Sequence, residues 1–572
     1  MNLIQLPPHE ANAVIELYNA KRYSDAEKRI YELLDLYPQE GFLWKLLGVT
    51  LHLQGKDTLL ALQKTAELIP DDAGVHNNLG NTLQNLGQLE DAADSYRRAL
   101  QLKPDFAMAH HNLGLVMQAL GKIDAATASY RRALEIKPDA EAYSNMLYMH
   151  SFTRNISLEL EYNLAANWEN LVLDESERNA ARNRSFDYAS RIGRKLRLGI
   201  VSAEIGQHAV AEFLEPLLEQ LDRNRFHVTL YPTIARGESR AIRLKGLADE
   251  FKSLVGIADH KAADLIRADR IDILVDTTAH MRDCRLGIFA HRAAPVQCHY
   301  IGYHGTTGLT EMDWFIADEV LLPAACDTHF REGIWRLPRL WIAYRGDASL
   351  PDSRWMPSLD GTIWLGSFNN LTKVREETLA LWAKVMNSIP LSKLFLKNRQ
   401  GTDHTVQERI RSELSYYGIS ADRIEFSGPT ADWRSHMALY DRLDIALDTI
   451  PLNSGTTAFD ALWMGVPLIG LEGSWMGARM TNAILKALGK SEWVARNEDE
   501  YVAIVATLAQ DVERRKLLRV GQRALMANSP LCDAKGLTRA LENALRQCST
   551  DGWKKASRYP KILHKEFLLS PS

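Results

Sequence analysis

Residues 70–103 read PDDAGVHNNLGNTLQNLGQLEDAADSYRRALQLK, and residues 104–137 read PDFAMAHHNLGLVMQALGKIDAATASYRRALEIK. Both stretches are 34 residues long and open with Pro-Asp. Several of their residues recur at this one offset: Asn78-Leu79-Gly80 with Asn112-Leu113-Gly114, Gly87 with Gly121, Tyr96 with Tyr130, and Ala99 with Ala133. A fixed period of this length is typical of repeat proteins, in which stacked units bury a continuous core that one unit alone cannot form.

Each unit reads as a helix, a tight turn, a second helix and a closing proline. Glycine and alanine stand where two helices approach, and a tyrosine fills the gap between neighbouring pairs, which is the tetratricopeptide pattern. Two weaker units precede these, one ending at Pro38 and one running from Gly41 to Pro70. We therefore predict about four repeats over residues 5–140, in a domain 1–140, followed by a helical connector over 141–195.

Short polar side chains line the first helix of the repeats: Asn77, Asn78, Asn81, His111 and Asn112. Side-chain amides can pair with a peptide backbone whatever its sequence. We expect the concave face of the array to bind an acceptor polypeptide, with Asn78 and Asn112 as candidate contacts. The alternative for any one of these side chains is that it only solvates a helix surface.

From Leu196 onward, apolar β-branched runs alternate with helical stretches, which predicts parallel sheets covered by helices. The predicted strands are 196–202, 227–232, 271–276, 296–302, 314–318, 364–368, 393–397, 423–426, 444–448 and 467–471. They form two sets, so we expect an α superhelix followed by α/β, with two Rossmann-like lobes over 196–345 and 346–548 and a tail over 549–572. Ligands of such sheets bind beyond the carboxyl ends of the strands.

The segment Pro451–Gly465, PLNSGTTAFDALWMG, follows a predicted strand and opens a helix. Its backbone N–H groups and the helix dipole predict an anion site, to which the hydroxyls of Thr456 and Thr457 would add donors. Asp460 lies one turn further along and would accept hydrogen bonds from ribose hydroxyls. The alternative is an ordinary helix capped by a threonine.

The segment GSFNNLTK, residues 366–373, follows the first strand of the second lobe. Lys373 would meet a phosphate there, and Asn370 would help to orient the same ligand. The alternative is a solvated surface lysine. Three histidines stand in comparable positions: His208, His280 and His436. A histidine can donate, accept or carry a proton near neutral pH, although any one of them could equally be a core residue with satisfied hydrogen bonds.

Composition and missing motifs exclude several classes of protein. A net charge of −4 argues against nucleic acid as the main partner, and five cysteines without CxxC pairing indicate a reducing compartment, so we expect a cytoplasmic protein. We find no signal peptide and no apolar run that would span a membrane.

Neither GxGxxG after the first strand, nor a P-loop, nor GxSxG, nor a DxD triad is present. We therefore expect no cofactor and no metal, so that Lys373 and residues 454–457 would neutralise a leaving phosphate.

The chain resembles the protein O-GlcNAc transferase/SPINDLY family (glycosyltransferases of the family 41 type) from the repeats to about residue 548. The matching motifs are GQHAV, RAAPVQCHYIGYHGTTG at 292–308, GSFNNLTK, SGTTAFDALWMG and NEDEYV at 497–502. The resemblance implies a GT-B pair of lobes and an inverting transferase that needs no metal. It also implies a nucleotide-sugar such as UDP-GlcNAc and an acceptor polypeptide as partners, and it leaves a homodimer open.

The resemblance also implies a role for each candidate residue. Lys373 matches the lysine that binds the diphosphate and supports its departure. Thr456, Thr457 and Asp460 match residues that hold phosphates and ribose. His436 then lies near the nucleobase and Asn370 near the phosphates. His208 matches an acid/base or acceptor-positioning histidine, and His280 matches a histidine of the SPINDLY branch.

Four positions depart from the usual O-GlcNAc transferase pattern. Ser454-Gly455 replaces Gly-His before the two threonines and is closer to the SPINDLY form, yet Asp460 is not usual in that branch. Trp433 stands where a base-contacting lysine is common, and His304 replaces a proline. The implied reaction is transfer of GlcNAc from UDP-GlcNAc to Ser/Thr hydroxyls. Transfer of fucose from GDP-fucose, another sugar donor such as UDP-glucose, asparagine-linked transfer, and a scaffold with an inactive catalytic half remain alternatives.

Overall fold

A computed structural model describes residues 6–153, 157–186 and 193–555. The chain divides into two compact units, residues 1–149 and 150–572. In the part of the chain that the structure describes, no helix is both long enough and apolar enough to cross a bilayer.

The first unit is built from successive helix pairs. Its described helices are α1 (Pro8–Asn19), α2 (Tyr23–Leu36), α3 (Gly41–Leu53), α4 (Leu59–Leu68), α5 (Ala73–Asn85), α6 (Leu89–Leu102), α7 (Ala107–Ala119), α8 (Ile123–Ile136) and α9 (Ala140–His150). The pairs α1/α2, α3/α4, α5/α6 and α7/α8 lie in the range over which about four repeats were predicted. Helix α9, assigned above to the connector, lies almost wholly in this unit.

Glycine and tyrosine explain the spacing of the last two pairs. A Cβ added to Gly80 would lie 2.6 Å from Cε1 of Tyr96, and one added to Gly114 would lie 2.5 Å from Cε1 of Tyr130. Both tyrosines are fully buried. The repeated glycine therefore leaves room for the ring from the second helix of the same repeat, which is why the two residues recur together.

The second unit opens with helices α10 (Leu158–Val172) and α11 (Glu175–Arg182). The first α/β lobe contains β1 (Leu196–Ser202), α12 (Ala209–Gln220), β2 (Phe226–Pro232), α13 (Ser239–Gly246), β3 (Glu250–Phe251), α14 (Asp259–Ala268), β4 (Ile273–Asp276), α15 (Leu286–Ala290), β5 (Val296–Tyr300), β6 (Trp314–Asp318) and β7 (Gly333–Leu337). Its sheet has the order β3-β2-β1-β4-β5-β6-β7, and every recorded pairing is parallel.

The second lobe contains β8 (Ile363–Ser367), α16 (Glu376–Ser388), β9 (Ser392–Lys397), α17 (His404–Tyr416), β10 (Ile424–Ser427), α18 (Trp433–Ala438), β11 (Ile445–Leu447), α19 (Thr456–Trp463), β12 (Leu468–Leu471), α20 (Met480–Ala487), β13 (Val494–Ala495), α21 (Glu498–Gln510), α22 (Val512–Ala527) and α23 (Ala534–Lys555). Its sheet has the order β10-β9-β8-β11-β12-β13, again with parallel pairing. The two predicted Rossmann-like lobes, and with them the GT-B fold class, are confirmed.

The predicted strands are all present, and their ends shift by no more than two residues. Strands β3, β7 and β13 were not predicted. Two of them are only two residues long, and β7 (GIWRL) is mostly half-buried at the edge of its sheet, so it lacks the continuous apolar run of a central strand.

Two predicted boundaries differ from the packing. Helix α10 was expected to be part of a connector, but Glu169 on it accepts a hydrogen bond from Thr310 Oγ1 of the first lobe at 2.6 Å. Helix α23 was expected to belong to the second lobe, but it packs on α12, β5 and β7 of the first. There Glu542 accepts from the Asp222 N–H at 2.7 Å, and Leu541 covers an apolar cavity lined by Leu214. The apolar face of α23 predicts that the helix is buried, but it does not predict on which lobe the helix packs.

Candidate active site

The two loops singled out by sequence meet at the carboxyl ends of β8 and β11. Lys373 Nζ donates a hydrogen bond to the carbonyl oxygen of Asn453 at 2.7 Å. Asn369 Nδ2 donates to Ser454 Oγ at 2.7 Å and to Ser367 Oγ at 3.0 Å. These contacts make one structural unit of segments that lie about 80 residues apart in the sequence.

A buried carboxylate holds the second loop in place. Asp448 Oδ1 accepts hydrogen bonds from Ser454 N at 2.8 Å, Ser454 Oγ at 2.5 Å and Thr449 N at 2.8 Å. Burial raises the pKa of Asp448, and the hydrogen bonds from Ser454 and Thr449 oppose that rise. Thr378 Oγ1 closes the loop from α16 by donating to Ile450 O at 2.6 Å, beside the cis peptide bond between Ile450 and Pro451. These protein groups therefore fix the path of the loop.

Helix α19 begins at Thr456 with Gly455 in the capping position, where no side chain of the described chain caps it. A Cβ added to Gly455 would meet no atom within 4 Å, so the helix start faces open space. Thr456 and Thr457 are half-buried. The alternative of a threonine-capped helix is not what the structure shows. Uncapped N–H groups at a helix start, facing open space, are suited to binding an anion.

Lys373 is a half-buried residue rather than a solvated one. Burial lowers its pKa to about 8, and the carboxylate of Asp448 opposes this shift. The ammonium form still predominates at pH 7. A cation with little solvent around it, beside an uncapped helix start, interacts more strongly with an incoming phosphate than an exposed lysine would.

Asp460 lies one turn into α19, where its side chain is only 7% exposed. It accepts a hydrogen bond from Tyr344 Oη at 2.9 Å. Burial raises the pKa of Asp460 to about 7, while the hydrogen bond from Tyr344 and the charge of Lys397 act in the opposite direction. The ring of Tyr344 stacks on Phe459 with centroids 5.3 Å apart and an interplanar angle of 16°. Asp460 is thus fixed by the segment that joins the two lobes.

His436 lies in an aromatic cluster on α18. Trp433 stacks on it with centroids 5.3 Å apart and an interplanar angle of 17°, and Phe368 and Tyr440 present their rings edgewise. Lys397 Nζ donates a hydrogen bond to His436 Nδ1. Burial, and then the charge of Lys397, lowers the pKa of His436 to about 4, so the ring is neutral at pH 7. A flat, neutral ring in aromatic surroundings is suited to contact with a nucleobase.

The other predicted sugar-donor residues are placed differently. Asn370 is exposed, and its Oδ1 accepts from Thr372 N at 3.1 Å, so its neighbour Asn369 makes the contact between the loops.

His280 is fully buried, and its Nε2 pairs with Thr307 O at 2.9 Å between the rings of Tyr303 and Trp168. Burial lowers the pKa of His280 to about 4. Its surroundings are those of a core histidine, and its role towards the sugar donor stays a prediction.

His208 is exposed at the start of α12 in the first lobe. Its Nδ1 accepts a hydrogen bond from Val210 N at 3.3 Å. Partial desolvation by neighbouring protein atoms, and then the charge of Arg236, lowers its pKa. In the neutral ring the proton therefore lies on Nε2, which donates. This arrangement suits a residue that positions an acceptor better than one that removes its proton.

Asn78 and Asn112 belong to the first unit. Asn78 is exposed, whereas Asn112 Nδ2 donates to Asn77 Oδ1 at 3.1 Å and to Asn81 Oδ1 at 3.0 Å. The amide of Asn112 thus joins adjacent repeats, and that of Asn78 is open to a ligand. The two predicted acceptor contacts are not equivalent.

Several residues of the site were missed by sequence reasoning. They are Asp448 after β11, Lys397 at the end of β9, Phe368 after β8, and Tyr344 between the lobes. The first three lie at the carboxyl ends of strands, a position that could have marked them. Among the described residues, no group of three His, Cys, Asp or Glu side chains is arranged to hold a metal ion. Metal independence itself stays a prediction.

A two-lobed α/β fold with a phosphate-type loop in one lobe has the architecture of GT-B glycosyltransferases. The model of glycosyl transferase family 41 matches residues 138–349 and 352–541, and tetratricopeptide repeat models match 85–121 and 107–140. The chain therefore belongs to glycosyl transferase family 41.

Similar proteins agree with this assignment. The chain is 33% identical over 367 residues to a probable UDP-N-acetylglucosamine–peptide N-acetylglucosaminyltransferase SPINDLY of Oryza sativa, covering 63% of this chain and 40% of that one. It is 24% identical over 474 residues to a UDP-N-acetylglucosamine–peptide N-acetylglucosaminyltransferase of Caenorhabditis elegans, covering 62% of this chain and 41% of that one. A mutant of O-GlcNAc transferase from Thermobaculum terrenum superposes with a TM-score of 0.81 at 29% identity, covering 96% of this chain and all of that one. The chain spans about 40% of the length of the curated relatives it matches.

Proposed function

We propose that this protein transfers GlcNAc from UDP-GlcNAc to serine or threonine hydroxyls of polypeptides bound by its repeat array. The observation that carries the proposal is the Lys373–Asn453 contact, which places an ammonium group beside the uncapped start of α19. A cation and a row of backbone N–H groups that face open space are what a leaving diphosphate needs.

In the proposed reaction, the acceptor oxygen forms a bond to the anomeric carbon while the bond from that carbon to the β-phosphate oxygen breaks. The diphosphate leaves with the electron pair, and the configuration inverts. Charge grows on the diphosphate oxygens, where Lys373 and the N–H groups of Thr456 and Thr457 would stabilise it without first reorganising. No metal is required in this scheme.

The acceptor proton must pass to a base. His208 is one candidate and a water relay through the diphosphate is the other. The hydrogen bond from Val210 N to His208 Nδ1 favours the relay, because His208 then donates from Nε2. We therefore give His208 the role of orienting the acceptor.

The remaining contacts fit a nucleoside. Asp460 would accept hydrogen bonds from ribose hydroxyls, and the stacked rings of His436 and Trp433 would lie against the base. In the repeat unit, the exposed amide of Asn78 would pair with the backbone of the acceptor polypeptide.

A panel of UDP, GDP, UDP-GlcNAc and GDP-fucose in a thermal unfolding assay tests the proposal. A ligand at one hundred times its dissociation constant adds about 2.7 kcal/mol to the unfolding free energy, which gives a clear shift. The intact mass of a co-expressed acceptor then identifies the sugar. Absence of stabilisation by every nucleotide would contradict the proposal and favour a scaffold with an inactive catalytic half.

A SPINDLY-like transferase that uses GDP-fucose is the second candidate. Identity to the SPINDLY sequences is 32–33%, against 24% to the Caenorhabditis elegans transferase, and Ser454-Gly455 is the SPINDLY-like form of the loop. Stabilisation by GDP but not by UDP would select this candidate. Modification of asparagine instead of serine or threonine would be evident from the mapped site in the acceptor.

A further inference from the structure

His304 lies in the loop that follows β5, and a chain of buried contacts fixes that loop. His299 Nδ1 pairs with Asp276 Oδ2 at 2.6 Å, and His299 Nε2 accepts from Tyr303 N at 3.3 Å. Ile301 has a φ of +84°, a strained conformation for a β-branched residue. Strain of this kind persists where the surrounding structure imposes it, and it is concentrated at functional sites.

His304 is half-buried, and one nitrogen of its ring has no hydrogen-bond partner among the described residues. It lines a small cavity together with Glu161, Thr306, His329 and Trp475. Its Nδ1 is buried and has no hydrogen-bond partner among the described residues. An unpaired buried polar atom destabilises the fold unless a ligand or a water molecule pairs with it.

The cavity that His304 lines lies close to the predicted diphosphate site, because Met476 also lines it and the next residue, Gly477, accepts a hydrogen bond from Asn453 N at 2.9 Å. Burial, followed by the charges of Lys373 and His299, lowers the pKa of His304 to about 3. The imidazole is therefore neutral at pH 7 and presents one N–H donor and one acceptor nitrogen. A neutral donor beside the ammonium adds direction to a hydrogen bond without adding the repulsion of a second cation.

We propose that His304 binds the sugar donor, and that its Nδ1–H and the Lys373 ammonium both donate to oxygens of the glycosyl diphosphate. This inference rests on the proposed function, since it takes the ligand at Lys373 to be a nucleotide-sugar. The oxygen that His304 contacts belongs either to the β-phosphate or to a hydroxyl of the transferred sugar, and both offer the same acceptor chemistry. The first lobe then contributes a direct contact to the glycosyl diphosphate, whose proposed contacts with Lys373 and the start of α19 lie in the second lobe.

Three variants test this role. His304→Phe keeps the ring and removes both nitrogens, whereas His304→Asn places a polar atom where Nδ1 stood. His329→Phe is the matched control, because His329 lines the same cavity and also has a buried Nδ1 without a hydrogen-bond partner among the described residues. Circular dichroism and thermal unfolding establish that each variant is folded.

Calorimetric titration with the nucleoside diphosphate alone and with its sugar derivative, using UDP and UDP-GlcNAc or GDP and GDP-fucose, separates the two sources of oxygen. Weaker binding of both ligands to His304→Phe, by roughly 10- to 100-fold, assigns the contact to the phosphate. Weaker binding of the sugar derivative alone assigns it to the sugar. In either case we expect His304→Asn to recover much of the affinity and His329→Phe to bind normally.

The inference is overturned if folded His304→Phe binds both ligands and turns over like wild type, or if His329→Phe loses as much affinity. In those outcomes wild type still binds nucleotide, so the proposed function stands. Failure of wild type to bind any nucleotide would overturn both.

Discussion

Lys373 Nζ lies 2.7 Å from the carbonyl oxygen of Asn453, and this hydrogen bond joins the loop after β8 to the loop before α19. This contact holds the ammonium beside the helix start while leaving N–H groups of the same nitrogen for a ligand. One side chain therefore connects the two segments and contributes the positive charge of the site.

Replacing Lys373 by methionine should reduce transfer by about 100-fold or more, since removal of one preorganised group that stabilises developing charge typically costs that much. The measurement is the initial rate of sugar transfer at saturating sugar donor. Lys384→Met is the control, because Lys384 is an exposed lysine whose ion pair with Glu498 lies on the surface. Near wild-type turnover of Lys373→Met would remove Lys373 from the catalytic machinery.

Replacing Asp448 by asparagine should loosen the loop before α19. One carboxylate oxygen of Asp448 accepts three hydrogen bonds. The side-chain amide of asparagine can instead direct its own N–H groups towards these donors, so that the hydrogen bonds are lost. We expect a loss of about 1–3 kcal/mol in the free energy of unfolding, together with weaker binding of the nucleoside diphosphate. Urea unfolding and calorimetry measure the two effects. Asp352→Asn, at a fully exposed carboxylate, should change neither.

Asp460→Asn should stabilise the protein at alkaline pH while weakening nucleoside binding. Burial raises the pKa of Asp460 to about 7, so the folded state binds its proton more tightly than the unfolded state does. The stabilisation that comes from protonated Asp460 is fully present below about pH 4. It is lost as pH rises to about 7 and stays lost above that. The difference in unfolding free energy between variant and wild type should therefore grow between pH 4 and 7, by up to a few kcal/mol. Unfolding curves at pH 4.5 and 8 measure it, and equal differences at both would contradict the assignment.

Alanine at Asn112 should lower the stability of the repeat unit, whereas alanine at Asn78 should weaken the binding of an acceptor polypeptide. Asn112→Ala removes hydrogen bonds to Asn77 and Asn81, so the repeat unit should lose about 1–2 kcal/mol of stability. Asn78→Ala should leave the melting temperature unchanged, because Asn78 is exposed, and should weaken binding of an acceptor polypeptide. Thermal unfolding and peptide titration of the two variants check this. A stable Asn78→Ala variant with unchanged peptide affinity would exclude this amide from the acceptor site.

Local signals predicted the architecture well. Within one repeat, Gly114 leaves room for the ring of Tyr130. Because both residue types recur with the 34-residue period, the sequence alone indicates this contact. The loop before α19 was also predicted, because glycine, threonine and a preceding strand suffice to define it. Contacts between distant segments were not predictable. Tyr344 pairs with Asp460 over 116 residues, and nothing near either residue indicates that pairing. His280 is the opposite case. Its position after a strand indicated a functional site, but the residue is fully buried among core side chains.

The loop that Asp448 organises has a kinetic consequence. Because protein groups already hold it in place, a ligand does not lose affinity by ordering it. The nucleoside diphosphate released after transfer would keep its contacts with Lys373, the helix start and Asp460. The product should therefore compete with fresh sugar donor, and the rate of transfer should fall as the diphosphate accumulates.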